Sequence, residues 1–212
     1  MFRNSLWLAW LALVAFAAGP ACAAPLVSEV FYDASGSDDG LSFVELWGAA
    51  GASLDGLVIE GINGSNGSVT HTLVLTGVIP ADGFFVIADD RGDGASDVAG
   101  ADLVRDFDFQ NGPDSVVLRD AAGVFDAVGY GNFAVGDVFA GEGAPASDAP
   151  AGSSLARLFA NGDSDDNAAD FVVLPVPTPG SGELLPVPEP GTSTLCLLGL
   201  VGLRARRRRR AG

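Results

Sequence analysis

Lysine is absent from this 212-residue chain, and histidine occurs once, at His71. Without lysine there is no Walker-type phosphate loop and no Schiff-base amine. A single histidine excludes an H-E-x-x-H zinc site. Cysteine is nearly as scarce, since Cys22 and Cys196 both lie in the terminal stretches. The chain between them has no thiol nucleophile, no thiolate ligand and no disulfide, so it must be held by its core alone. Basic charge is missing there too. Arg3 and six C-terminal arginines set aside, Arg91, Arg105, Arg119 and Arg157 face twenty-six acidic residues between Ala24 and Val187, a formal charge of −22. Such a surface repels phosphate backbones, so no direct nucleic-acid binding is expected.

What the two ends contain is specific. Arg3 precedes an apolar run from Leu6 to Ala18, followed by Ala21-Cys22-Ala23. A charged start, an apolar middle and an A-x-A site make residues 1–23 a secretory signal peptide, cut by signal peptidase after Ala23. A lipoprotein signal at Cys22 is the weaker reading, because Gly19-Pro20-Ala21 lacks a large aliphatic residue three positions before the cysteine. At the other end, Val187-Pro188-Glu189-Pro190-Gly191 leads into an apolar run, Thr192 to Leu203, and then into Arg204-Ala205-Arg206 through Arg210. Proline interrupts any helix arriving from upstream and suits the start of a new one. Arginines stay on the cytoplasmic side of a membrane. The short apolar helix covers roughly 18 Å against a hydrocarbon core of about 30 Å, which suits a temporary stop better than a permanent anchor.

The three-part pattern at 188–212 resembles the PEP-CTERM sorting signal of Gram-negative bacteria. The resemblance implies recognition by an exosortase-type membrane protease and cleavage near Pro188, Glu189 and Pro190. It also implies transient inner-membrane insertion, with Arg204, Arg206, Arg207, Arg208, Arg209 and Arg210 on the inner side. The product would be delivered to the cell surface or the extracellular matrix.

Between the processing segments, residues 24–180 read as one all-β domain, followed by a linker at 181–187. Short strands are expected at Leu26–Tyr32, Ser42–Trp47, Leu57–Ile62, Thr70–Leu75, Phe84–Ala88, Ser115–Arg119, Val124–Tyr130, Ser154–Leu158 and Phe171–Leu174. Asn-Gly and Asp-Gly steps between them supply the positive φ that hairpin turns need. Strands so spaced indicate a β-sandwich or barrel. The Ser42–Trp47 stretch is apolar on both faces, as a central strand covered on each side would be. Phe43, Trp47, Phe85, Val116, Leu118 and Phe125 are the expected core. Pro175–Pro186 reads as a stiff, extended, proline-rich spacer.

Three stretches are similar to the bacterial lamin tail domain. The first is Val27-Ser28-Glu29-Val30-Phe31-Tyr32-Asp33 with Phe43-Val44-Glu45-Leu46. The second, Leu54-Asp55-Gly56-Leu57-Val58-Ile59, lacks the family's tryptophan. The third is Ser153-Ser154-Leu155-Ala156-Arg157, with the run from Asp163 to Phe171 and Pro177-Thr178-Pro179-Gly180. The resemblance implies an immunoglobulin-like β-sandwich acting as an accessory or interaction module.

Chemistry has few candidates. Asp163, Asp165, Asn167 and Asp170 place oxygen ligands at alternate positions as a calcium loop does, although the twelve-residue pattern is incomplete and a capped aspartate turn is the stronger reading. Glu29 and Glu45 form a candidate glycosidase-type carboxylate pair, against a hydrogen-bonding role in the sheet. Arg91-Gly92-Asp93 spells an integrin tripeptide but reads as an ordinary turn. His71 has no serine in a G-x-S-x-G elbow. The expected function is therefore a non-enzymatic surface module that contacts envelope polysaccharide or other surface proteins. The alternative is a small calcium-dependent hydrolase using loop carboxylates.

Overall fold

A computed structural model describes residues 24–185, and the expected leader at 1–23 and sorting helix lie outside the described residues. Ten strands form two sheets. β1 (Leu26–Phe31), β2 (Phe43–Trp47), β5 (Phe84–Asp89), β6 (Leu103–Arg105), β9 (Ser154–Arg157) and β10 (Phe171–Leu174) make a six-stranded sheet in the order β10-β9-β1-β2-β5-β6. β3 (Val58–Asn63), β4 (Val69–Val74), β7 (Asp114–Arg119) and β8 (Val124–Tyr130) make a four-stranded sheet, β4-β3-β7-β8. All pairings are antiparallel except β5 with β6. The fold is a β-sandwich.

The core follows from alternation. Val30, Val44, Leu46 and Ile87 face Ile59, Leu73, Val116, Leu118 and Val128 across the gap between the sheets. Each large apolar side chain so buried contributes about 1.5–3 kcal/mol. Tyr32 stacks on Tyr130 with ring centroids 4.2 Å apart. Its hydroxyl donates to Asp148 at 2.9 Å and accepts from the Ala149 amide at 2.7 Å, which fastens the long 131–152 connection to the sandwich.

β2 is central, as its two apolar faces predict. Val44 and Leu46 point inward, while Phe43 joins Phe31, Ala34, Val86 and Ala88 in a second cluster on the outer face. Val98 and Ala101, from the crossover between β5 and β6, cover that cluster. β6 itself was not expected, because three residues joined by a parallel crossover leave no alternation long enough to read.

Two expected core residues lie elsewhere. Trp47 is half-buried on the outer face. Phe125 is 39% exposed, whereas Asp126 beside it is fully buried. Alternation on β8 runs opposite to polarity because a charged partner, Arg157, waits inside for Asp126. The proline-rich spacer also differs from expectation. Residues 178–185 do not leave the domain but lie along its outer face as a strap, hydrogen-bonded to it through Leu185.

Candidate functional site

The outer face of the six-stranded sheet carries two carboxylates side by side. Glu29 on β1 and Glu45 on β2 are register partners, and both are 1% exposed. Each belongs to the outward set of its strand, next to Phe31 and Phe43 respectively. A bulge between Val27 and Glu29 turns Ser28 toward the same place, and its hydroxyl donates to Glu45 Oε1 at 2.7 Å. Ser154 on β9 donates to Glu29 Oε1 at 2.5 Å.

The strap supplies the remaining donors. Thr178 gives its amide to Glu29 Oε1 at 2.9 Å and its hydroxyl to Oε2 at 2.8 Å. Gly180 gives its amide to Glu45 Oε2 at 2.6 Å. Burial pushes the Glu45 carboxyl up to about 7, with the charge of Glu29 adding to the shift and the bonds from Ser28 and Gly180 opposing it. A cleft of about 410 Å³ between the strap and β9–β10 reaches the pair itself, lined by Glu29 and Glu45 together with Leu158, Ala160, Val172 and Glu183.

The second polar centre is built around Arg157 at the end of β9, whose side chain is wholly buried. Its Nη2 donates to Asp126 Oδ1 at 2.6 Å, and its Nη1 to Asp170 at 3.0 Å and Asp163 at 3.3 Å. Its Nε donates to the Val27 carbonyl at 2.9 Å, while Asp126 Oδ2 accepts from the Val27 amide at 2.6 Å. The guanidinium also lies 4.7 Å over the Phe171 ring, a cation–π arrangement. One ion pair thus ties β8 of one sheet to β1 and β9 of the other.

The four residues expected to hold calcium are not gathered into one ligand set. Asp163 and Asp170 face Arg157, which already supplies the positive charge there. Asp170 also accepts from the Ser164 amide and hydroxyl, and these bonds hold its carboxyl below the ordinary range against the opposing effect of burial. Asp165 is exposed, with a left-handed φ of 55°, and its amide donates to Asp163. Asn167 turns inward. Its Oδ1 accepts from the Gly129 and Glu142 amides, and its Nδ2 donates to the Ala127 carbonyl. The stretch is a capped turn: Asp166 caps the single helical turn α1 (Asn167–Asp170) by accepting from the Ala168 amide, and it also accepts from the Ala144 amide. Replacing Asp166 with alanine should cost about 1 kcal/mol in denaturant unfolding, the usual loss for an N-cap.

A different acidic group does converge. Carboxylate oxygens of Asp126, Glu142 and Asp163 lie within 4.8 Å of one another. Burial, followed by the charges of Asp126 and Asp163, pushes Glu142 up to about 7. Its Oε2 is buried with no hydrogen-bond partner among the described residues. Neither Asp126 nor Glu142 was legible as a site residue, since they sit in a strand and a Gly-rich loop with no shared motif. Arg157 had one signal, as a rare arginine inside an apolar strand of an acidic chain.

The remaining motifs are local. Arg91 pairs with Asp93 at 3.1 Å and with Asp97 at 2.6 Å, so the Arg-Gly-Asp turn is closed on itself. On β4, His71 accepts from the Asp108 amide and meets the Phe109 ring edge-on.

The expected processing residues Ala23, Pro188, Glu189, Pro190, Arg204, Arg206, Arg207, Arg208, Arg209 and Arg210 lie outside the described residues. No curated protein and no solved structure matches the chain. The lamin tail resemblance gains no support from the family comparison, whose match falls on the sorting segment. Residues 186–210 match the PEP-CTERM protein-sorting motif, which makes this an exported protein, processed by the membrane protease exosortase and sorted to the cell envelope or surface.

Proposed function

We propose that the sorted product is a non-enzymatic interaction module of the lamin tail type, an immunoglobulin-like sandwich that contacts polysaccharide or other proteins at the surface or in the extracellular matrix. One observation carries this reading: all four oxygens of Glu29 and Glu45 are taken up by protein donors. A glycosidase needs one carboxyl group free to protonate a leaving group and another free to attack or to activate water. Here both are spent on holding the strap. The lamin tail reading draws on the same contact, because Glu29 and Glu45 come from its opening stretch and Thr178 and Gly180 from its closing one. The alternative of a calcium-dependent hydrolase has less to build on, with Asp163 and Asp170 engaged by Arg157.

Two measurements test the proposal. Deleting 186–210 should remove the domain from the cell surface and leave it released or retained in the envelope, as judged by surface labelling of intact cells. Unchanged surface labelling would contradict the sorting reading. The purified domain should turn over none of a broad panel of glycoside and ester substrates. Turnover that disappears in both Glu29→Gln and Glu45→Gln, with folding intact by circular dichroism, would establish an enzyme instead.

A further inference from the structure

The strap ends where the sorting motif begins. Ala160 donates its amide to the Glu183 carbonyl at 2.7 Å. Asn161 accepts from the Leu185 amide at 2.6 Å and donates to the Leu185 carbonyl at 3.2 Å. Residue 186 is already the first of the matched sorting segment. With Thr178 and Gly180 held by Glu29 and Glu45, the chain is fastened at four points between 178 and 185. The contact is close, since a Cβ on Gly182 would stand 3.3 Å from the Phe84 ring and 3.2 Å from the Ala160 Cβ.

A peptide recognised by strand addition needs an extended stretch with its backbone groups free to pair. A segment that starts one residue after a docked strap leaves no slack for that on its N-terminal side. We propose that Thr178–Leu185 is a latch, which keeps the approach to the sorting segment docked on the folded domain and has to open before the segment is processed. This rests on the sorting reading above. Opening is local: it breaks the strap's hydrogen bonds and uncovers Glu29 and Glu45, while both sheets stay intact. Such low-stability elements at the edge of a fold open far more often than the fold itself does. The latch ties processing to folding, because Glu29, Glu45 and Asn161 converge on the strap only when β1, β2 and the turn after β9 are in place.

The test uses the full chain in a host that has the exosortase. Ala160→Cys with Gly182→Cys places two Cβ atoms near the separation a disulfide spans, about 3.5–4.5 Å, and the exported compartment favours its formation. In a Cys196→Ser background, with Cys22 removed along with the leader, no third thiol competes, and the locked chain should accumulate unprocessed at about tenfold the level of the Cys196→Ser parent or more, since a covalent lock leaves the strap no open state. A mild reductant should then release it to the processed form. Processing of the oxidised chain at the parent's rate would overturn the latch and leave the sorting reading standing. Accumulation that reductant does not relieve would also overturn it, since the block would not lie in the strap. If the parent itself is never processed, the sorting reading fails and the latch falls with it.

Discussion

Arg157→Met should destabilise the domain by about 3–5 kcal/mol, the usual cost of leaving a buried carboxylate without its partner. The stranded group is Asp126, which shares its burial with Val27 and Val128 inside the sandwich. Burial already holds its carboxyl above the ordinary range, and the charge of Arg157 is the first force opposing that shift. Methionine fills the aliphatic volume but leaves the charge of Asp126 and the Val27 carbonyl unanswered. The loss should appear as a lower denaturant midpoint at constant slope. Adding Asp126→Leu to Arg157→Met should restore most of the stability, since replacing a whole buried ion pair by apolar groups is often near neutral. The Val27 amide and carbonyl then each keep a deficit of about 1 kcal/mol. If Arg157→Met alone cost no more than an exposed ion pair, about 1 kcal/mol or less, the two sheets would not depend on this contact.

The domain should be more stable at mildly acidic than at neutral pH, with Glu45 as one of the main contributors. Its carboxyl stands at about 7 in the folded state against an ordinary 4.5. A folded value raised above the unfolded one gives stability that is full below pH 4.5 and is lost as pH rises through 7. For a shift of this size in a group so buried, the loss is at most about 3 kcal/mol. Asp126, Glu142, Asp33, Asp108 and Asp114 are raised by burial too and act with the same sign. Asp170 acts oppositely. Its lowered value gives stability that is present above the ordinary 3.8 and is lost as pH falls through the folded value. The maximum should therefore lie near pH 5, below the folded value of Glu45 and above that of Asp170. Denaturant unfolding between pH 4 and pH 8 measures this, and Glu45→Gln should flatten the decline toward pH 8. A wild-type profile that rises from pH 5 to pH 8 would show that the pair is not held as described.

Both effects come from residues that the sequence displays and does not explain. Ser154-Leu155-Ala156-Arg157 and Val124 through Tyr130 are legible as strands, and nearly every strand lies where alternation and turn residues place it. Polarity alone nevertheless puts Phe125 inside and Asp126 outside. That inversion is invisible until β8 meets β9 across the sandwich, thirty-one residues away. The acidic 163–170 run shows oxygen ligands at alternate positions and hides the cation that answers them, which is an arginine of the chain itself.

By itself the sequence determined the address and the architecture. An acidic β-rich domain without cysteine or lysine and a sorting motif are local patterns, because sorting signals and strand alternation are read over a few residues. Tertiary structure decided which charged groups are spent. Glu29 meets Thr178 across 149 positions of chain and Glu45 meets Gly180 across 135. Only the ordering of β10, β9, β1 and β2 in one sheet brings them together. The carboxylate pair that reads as chemistry in one dimension is, in three, the clasp that fastens the approach to the sorting signal.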